Sequence, residues 1–262
     1  MEYLLIAIAA FLVSGLTLFS GFGLGTLLLP VFTLFLPVEA AVAATAVVHG
    51  ANNVLKTAVV GGKADRELVL KFGIPAVAAA FAGAAVLGLV SSLEPLATYE
   101  LGGRRAVITP LKLLIGLLML CFALFELLPR MRDLSFQRRH LFIGGLLSGF
   151  FGGLSGHQGA LRSAFLVKAG ISTEAFVGTN AIIGLTVDAA RILVYAMLAA
   201  GGAFASLSGA RERMLVLVGI GAAFLGVLAA KRYISKVTMA NVQILTGVML
   251  AGVAIALALG II

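Results

Sequence analysis

The sequence predicts an all-α polytopic membrane protein built from two inverted four-segment repeats, the first segment of each being a broken or re-entrant helix. Three observations predict it. Hydrophobic residues make up 61% of the chain and charged residues 11%, with a mean hydropathy of +1.13, and a soluble domain of this length could not cover itself with so few polar side chains. The apolar residues fall into eight segments. One glycine-rich pattern occurs twice, 134 residues apart: Ser14-Gly15 followed by Ser20-Gly21-Phe22-Gly23-Leu24-Gly25, and Ser148-Gly149 followed by Ser155-Gly156-His157-Gln158-Gly159.

The first segment (4–35) and the fifth (141–167) are longer than the roughly 20 residues a span needs, and glycines interrupt them at 21–25 and 155–159. Glycine costs about 1 kcal/mol in a helix interior, so each cluster marks a break that bares backbone N–H and C=O groups at membrane depth. Segments 40–60, 68–90 and 110–128 follow the first break, and 174–200, 214–230 and 239–262 follow the second. Thr45 and Thr179 stand at matching places in the two copies. The chain thus divides into a first repeat (1–129), a basic linker (130–140) and a second repeat (141–262). Glu2 stands where a signal peptide would be basic, so 4–19 reads as mature structure. Cys121 lies in an apolar run as a lipid-facing or packing residue, with no partner for a disulfide or a thiolate metal site.

Loop charge orients the copies. The net charge of +8 comes from Lys and Arg in short loops, the distribution of the positive-inside rule and not of nucleic-acid binding. If all eight segments cross, the copies are parallel and loop cations divide ten inside to seven outside. If the two broken segments turn back, the copies are inverted and the division becomes twelve to five. The second arrangement is the expectation, with the 130–140 linker cytoplasmic and both ends of the chain outside.

Polar residues within the apolar segments share faces. His49, Asn52, Asn53 and Lys56 follow i, i+3, i+4, i+7 spacing in the second segment. In the sixth, Thr179, Asn180, Asp188 and Arg191 share a side through i, i+4 and i+3 steps, with Gly184 leaving room between them. Beside the second break stand His157, Gln158 and Arg162. A charge near the bilayer centre costs about 2.5–3.5 kcal/mol on insertion scales, so these residues need compensation. Asp188 and Arg191 can form an i, i+3 ion pair that locks the sixth helix. Arg162 lies outside that pair, either offering its planar donors to an oxyanion or reaching toward headgroups.

The backbone supplies a second anion device. A helix restarting after Gly21, Gly23 and Gly25, or after Gly156 and Gly159, presents unpaired N–H groups and the positive end of its dipole. Close packing accounts for scattered glycines such as Gly83, Gly88 and Gly226. His49, His157 and Asp188 are candidates to carry a coupling proton, the two histidines being equally able to serve as neutral hydrogen-bond donors. Lys56, placed near the cytoplasmic end of its helix, is the candidate to recruit an anion. With only these histidines and no carboxylate cluster, neither a metal site nor another cofactor is expected.

The duplicated unit, the glycine break followed by Leu27-Leu28-Leu29-Pro30, the length and the basic central loop resemble the TauE/SafE family, and the resemblance spans nearly the whole chain. It implies a multi-pass protein of a bacterial inner membrane, not an enzyme, that exports small sulfur-containing anions such as sulfite, sulfoacetate or other organosulfonates. The substrate-binding set is then Gly21, Gly23, Gly25, Asn52, Asn53, Gly156, His157, Gln158, Gly159, Arg162, Thr179, Asn180 and Arg191. The partners expected are a small anionic substrate and the lipid bilayer, with a homodimer left open. A passive anion channel is the nearest alternative. A rhomboid-type serine protease, suggested by Gly153-Leu154-Ser155-Gly156, would need a base histidine on a later helix, and the last three segments contain none.

Overall fold

The computed structural model describes residues 1–17, 23–132, 134–167, 169–200, 209–233 and 239–262. Eleven α-helices, two single-turn 3-10 helices (Gly61–Lys63 and Arg138–His140) and one β-hairpin lie among them. In chain order the α-helices and strands are α1 (Glu2–Leu16), α2 (Leu24–Thr33), α3 (Val38–Val60), α4 (Arg66–Ser91), β1 (Ala97–Leu101), β2 (Arg104–Ile108), α5 (Pro110–Leu127), the short α6 (Pro129–Arg132), α7 (Leu141–Ser155), α8 (Gly159–Leu166), α9 (Thr173–Ala200), α10 (Ala210–Tyr233) and α11 (Met239–Ala258).

Each apolar segment forms helix, and the two expected to be broken are the two that divide, into α1–α2 and α7–α8. Among the described residues four helices are long and apolar enough to cross a membrane: α4, α5, α9 and the 210–230 part of α10. Large apolar side chains stand exposed along them, including Ile74, Leu117, Leu193 and Leu225. Such a surface suits lipid and not water. Cys121 is among the exposed residues of α5. The helix α3 is long enough as well, at 23 residues, but its polar stripe makes it less apolar than the other four.

Local chemistry sets the helix ends. The Asp65 carboxylate accepts from Leu68 N–H at 3.0 Å to cap α4, and Thr109 accepts from Lys112 N–H ahead of Pro110 to open α5. Two glycines have backbone that other residues rarely adopt. Gly156, at φ 85°, closes α7, and Gly23, at φ 113°, precedes α2. The first break therefore ends earlier than expected, since Gly25 lies inside α2. Gly21 is outside the described residues.

The hairpin departs from an all-helical reading. Gly102 and Gly103, both at positive φ, make the two-residue turn that joins antiparallel β1 and β2. Tyr99 Oη then donates to Leu259 O and Val107 N–H to Gly260 O, so the hairpin ties the end of α11 to the start of α5.

Close approaches at glycines give the helix directions. Gly50 of α3 lies against Asp188 and Ile192 of α9, and Gly178 of α9 against Val60, the last residue of α3, so α3 and α9 run antiparallel. So do α5 and α11, where Gly116 meets Ala254 and Gly247 meets Ala123 and Leu127. By contrast α4 and α7 run parallel, with Gly145 on Phe72, Gly149 on Ala76 and Gly153 on Ala80. The helices α1 and α10 are also parallel, as Ile6 meets Gly219, Phe11 meets Gly226 and Ala230 meets Gly15. The remaining scattered glycines serve the same close packing, Gly83 against Phe150 and Gly88 against Leu198.

Candidate functional site

The two polar stripes face each other. His49 is the middle residue of α3 and Asp188 lies near the middle of α9, and the antiparallel crossing brings His49 Nδ1 to 2.6 Å from Asp188 Oδ2. Asp188 is the centre of a wider set. Its Oδ2 also accepts from Asn53 Nδ2 at 2.8 Å, and its Oδ1 accepts from Gln158 Nε2 at 3.1 Å and from Arg191 Nη2 and Nε at 2.7 and 3.0 Å. The i, i+3 ion pair is thus present, but it is one arm of a network that joins α3, α9 and the second break. All of it is buried, Asp188 and Arg191 completely. A carboxylate so placed is tolerable only because donors surround it.

Gln158 extends the network to Arg162. Its Oε1 accepts from Arg162 Nη1 at 2.9 Å, and Arg162 Nε donates to Asn180 Oδ1 at 2.6 Å. The Arg162 side chain does not reach for headgroups, being only 1% exposed. Gly184 is where the sequence leaves room: a Cβ there would come within 2.7 Å of Asn53 Nδ2 and 3.2 Å of Arg162 Nη1. At Gly156 the guanidinium of Arg191 fills the space that a side chain would take, and Arg191 Nη1 also donates to Gly152 O at 3.3 Å.

The two breaks meet. A Cβ at Gly25, in the first turn of α2, would lie 3.2 Å from the Gly156 carbonyl and 3.6 Å from the His49 ring. Gly159 begins α8 beside them. Each restarting helix has first-turn N–H groups without intrahelical partners, so the site holds backbone donors as well as basic side chains. Three polar atoms of buried side chains here have no hydrogen-bond partner: Thr45 Oγ1, Asn52 Nδ2 and His157 Nε2. His157 Nδ1 shares a 3.0 Å hydrogen bond with Ser155 Oγ, and its ring stacks on Phe122 of α5 at 5.0 Å.

Two residues are placed differently from the expectation. Lys56 is 7% exposed and its Nζ donates to Thr17 O at 3.3 Å, at the carbonyl end of α1. It belongs to the first break and is not a charge displayed at the surface, because a lysine one helix face away from lipid is turned inward. Thr179 accepts from Asp65 N–H at 2.9 Å, which fixes the α3–α4 turn to α9 at the end remote from Asp188. Sequence reasoning also missed three contributors. Tyr195 Oη donates to Gly153 O, Ser14 Oγ donates to Ala223 O at 2.7 Å and lies 3.0 Å from Asn52 Oδ1, and Phe122 backs His157. Tyr195 had a signal, for it continues the Asp188–Arg191 face at i+4. Among the described residues no three His, Cys, Asp or Glu side chains cluster as metal ligands.

A protein-family model described as Sulfite exporter TauE/SafE matches residues 5–257. No curated protein and no solved structure matches the chain.

Proposed function

The chain belongs to the sulfite exporter TauE/SafE family, membrane transporters of sulfur-containing anions, and on that premise we propose that it is a secondary transporter of sulfite or a small organosulfonate, working by alternating access around the buried network. The observation that carries this reading is the burial of Lys56, Arg162 and Arg191 to 7% exposure or less, Lys56 at the carbonyl end of α1 and the two arginines beside Gly156 and α8. Basic side chains cost several kcal/mol at that depth unless they serve a polar ligand or pathway. Arg162 and the N-termini of α2 and α8 hold the anionic group. Asn52 and Gln158 supply neutral hydrogen bonds, and the His49–Asp188 pair carries the coupling proton.

The repeats are inverted in this reading. Exchanging the halves turns the α1–α10 packing into the α7–α4 packing and maps α3–α9 and α5–α11 onto themselves, and both self-pairs are antiparallel. Two parallel contacts, Ile6 and Val48 both meeting Gly219 and the start of α3 lying beside the start of α10, give α1 and α3 the same direction. An α2 that brings the chain back between them fits this order and supports a re-entrant first segment. The closure of the site around Asp188 and Arg162 supports a carrier over an open pore. Ser155, although bonded to His157, also donates to the carbonyl four residues earlier, as helix-interior serines do.

A thermal-shift screen of purified protein against sulfite, taurine, sulfoacetate, sulfate, lactate and phosphate tests the substrate class. Sulfite or a sulfonate is expected to stabilise most, and stabilisation by lactate or phosphate alone would overturn the assignment. The topology has a separate test in a Cys121→Ser background. Arg211→Cys is expected to react with an impermeant thiol reagent from the periplasmic side, and reaction from the cytoplasm alone would refute inverted repeats.

A further inference from the structure

On the face opposite the basic linker, a cavity of about 600 Å³ opens at the far end of α2. It lies within the size range of small-molecule pockets. The turn after α2, the start of α3, the end of α4, the start of α5 and, beyond α11, Ile261 and Ile262 wall it, with Ser91, Glu39 and Lys112 among its polar side chains. Lys112 is part-buried, and its Nζ donates to Val107 O at 3.1 Å. The β-hairpin that supplies this carbonyl also holds Gly260, so hairpin, lysine and cavity wall form one unit.

What links this cavity to the buried site is α2. Its first turn lies against His49 and Gly156, and its last residue, Thr33, lines the cavity. Ten residues at 1.5 Å each put the two places roughly 15 Å apart. All ten are buried and none is charged. The helix is also built to yield. Gly23 precedes it at positive φ, and Pro30 inside it removes one backbone hydrogen bond.

We infer that this cavity is the outer mouth of the transport path, that Lys112 receives the anion there, and that α2 is the partition which shifts to let it pass. The inference rests on the transport reading above.

Ser91→Cys in a Cys121→Ser background tests it, with Leu93→Cys as the second position should the first fail to fold. In sealed vesicles of both orientations, an anionic methanethiosulfonate is expected to react only from the face opposite the basic loops. It should react about 3- to 10-fold faster than a cationic one, with the preference abolished by Lys112→Gln and restored by Lys112→Arg. Lys112→Gln should also raise the transport KM while leaving the sulfite thermal shift of the solubilised protein unchanged. No reaction at either cysteine, or equal rates with both reagents, would overturn the inference. Absence of any sulfite-induced shift in the unmodified protein would instead remove the transport reading, and the labelling would still report whether the cavity is a water-filled opening.

Discussion

The two helix breaks solve one backbone problem with unequal chemistry. At each stands a glycine at positive φ, Gly156 closing α7 and Gly23 preceding α2. The restart of the first break, α2, contains no charged side chain, and the charge at that break comes from α3, where Lys56 reaches the Thr17 carbonyl. At the second break the chain itself supplies His157, Gln158 and Arg162, all within about a turn and a half of Gly156 and all 1% exposed. The backbone device is shared, and the polar side chains of the chain around it are concentrated at the second break. The anion should accordingly sit nearer the second half.

Removing the centre of the second-break network should have the largest effect. Asp188→Ala leaves Arg191 and three further donors without their carboxylate, a loss of about 3–5 kcal/mol that should lower the apparent melting temperature by about 10 °C. Asp188→Asn should fall between it and the unmodified protein. A melt within 2 °C or so for the alanine variant would show that the second break does not depend on this carboxylate.

Gly156→Ala comes next, since a left-handed backbone costs a non-glycine residue about 1–2 kcal/mol and its Cβ would stand 2.8 Å from Arg191 Nη1. Gly23→Ala should destabilise as well but should disturb anion binding less, because among the described residues its Cβ meets Thr17 and no residue of the Asp188 network. Equal losses of sulfite affinity in the two variants would erase the proposed asymmetry.

Lys56→Met should slow transport and cost about 1 kcal/mol at most of helix-end stabilisation. Transport by this variant should keep the salt dependence of the unmodified protein, for a buried lysine does not steer ions through solvent. A weakened salt dependence would return Lys56 to a recruiting role.

The smallest effect is expected at the exposed Lys63–Glu174 pair, 2.6 Å apart, where Glu174→Ala should leave the melting temperature unchanged. Pairing with Glu174 raises the Lys63 pKa. Whatever stability this gives is present below the ordinary lysine value and is lost as pH rises through the raised one. A melting change as large as that of Gly156→Ala would show that closure at this face matters as much as the centre.

Much of this was legible in the sequence for simple reasons. Hydropathy marks segments because the bilayer has a fixed thickness, and i, i+3, i+4 spacing marks a shared face because a helix has a fixed pitch. Hence the stripes of His49 to Lys56 and Asn180 to Arg191 were readable, as was the space at Gly184. Spacing says nothing of which partner crosses from another element. It could not show that His49 meets Asp188, that Thr179 is occupied by Asp65, or that Phe122 stacks on His157. The hairpin had a local sign, the Gly102-Gly103 pair between Thr98-Tyr99 and Val107-Ile108, but it was masked by the helical character of everything around it.

The central claim, that the second break holds the anion, is tested most directly by titrating purified protein with labelled sulfite and comparing the unmodified chain with Arg162→Ala. A charged hydrogen bond contributes about 1.5–3 kcal/mol, so Kd should rise about 10- to 100-fold. An unchanged Kd in Arg162→Ala would contradict the account.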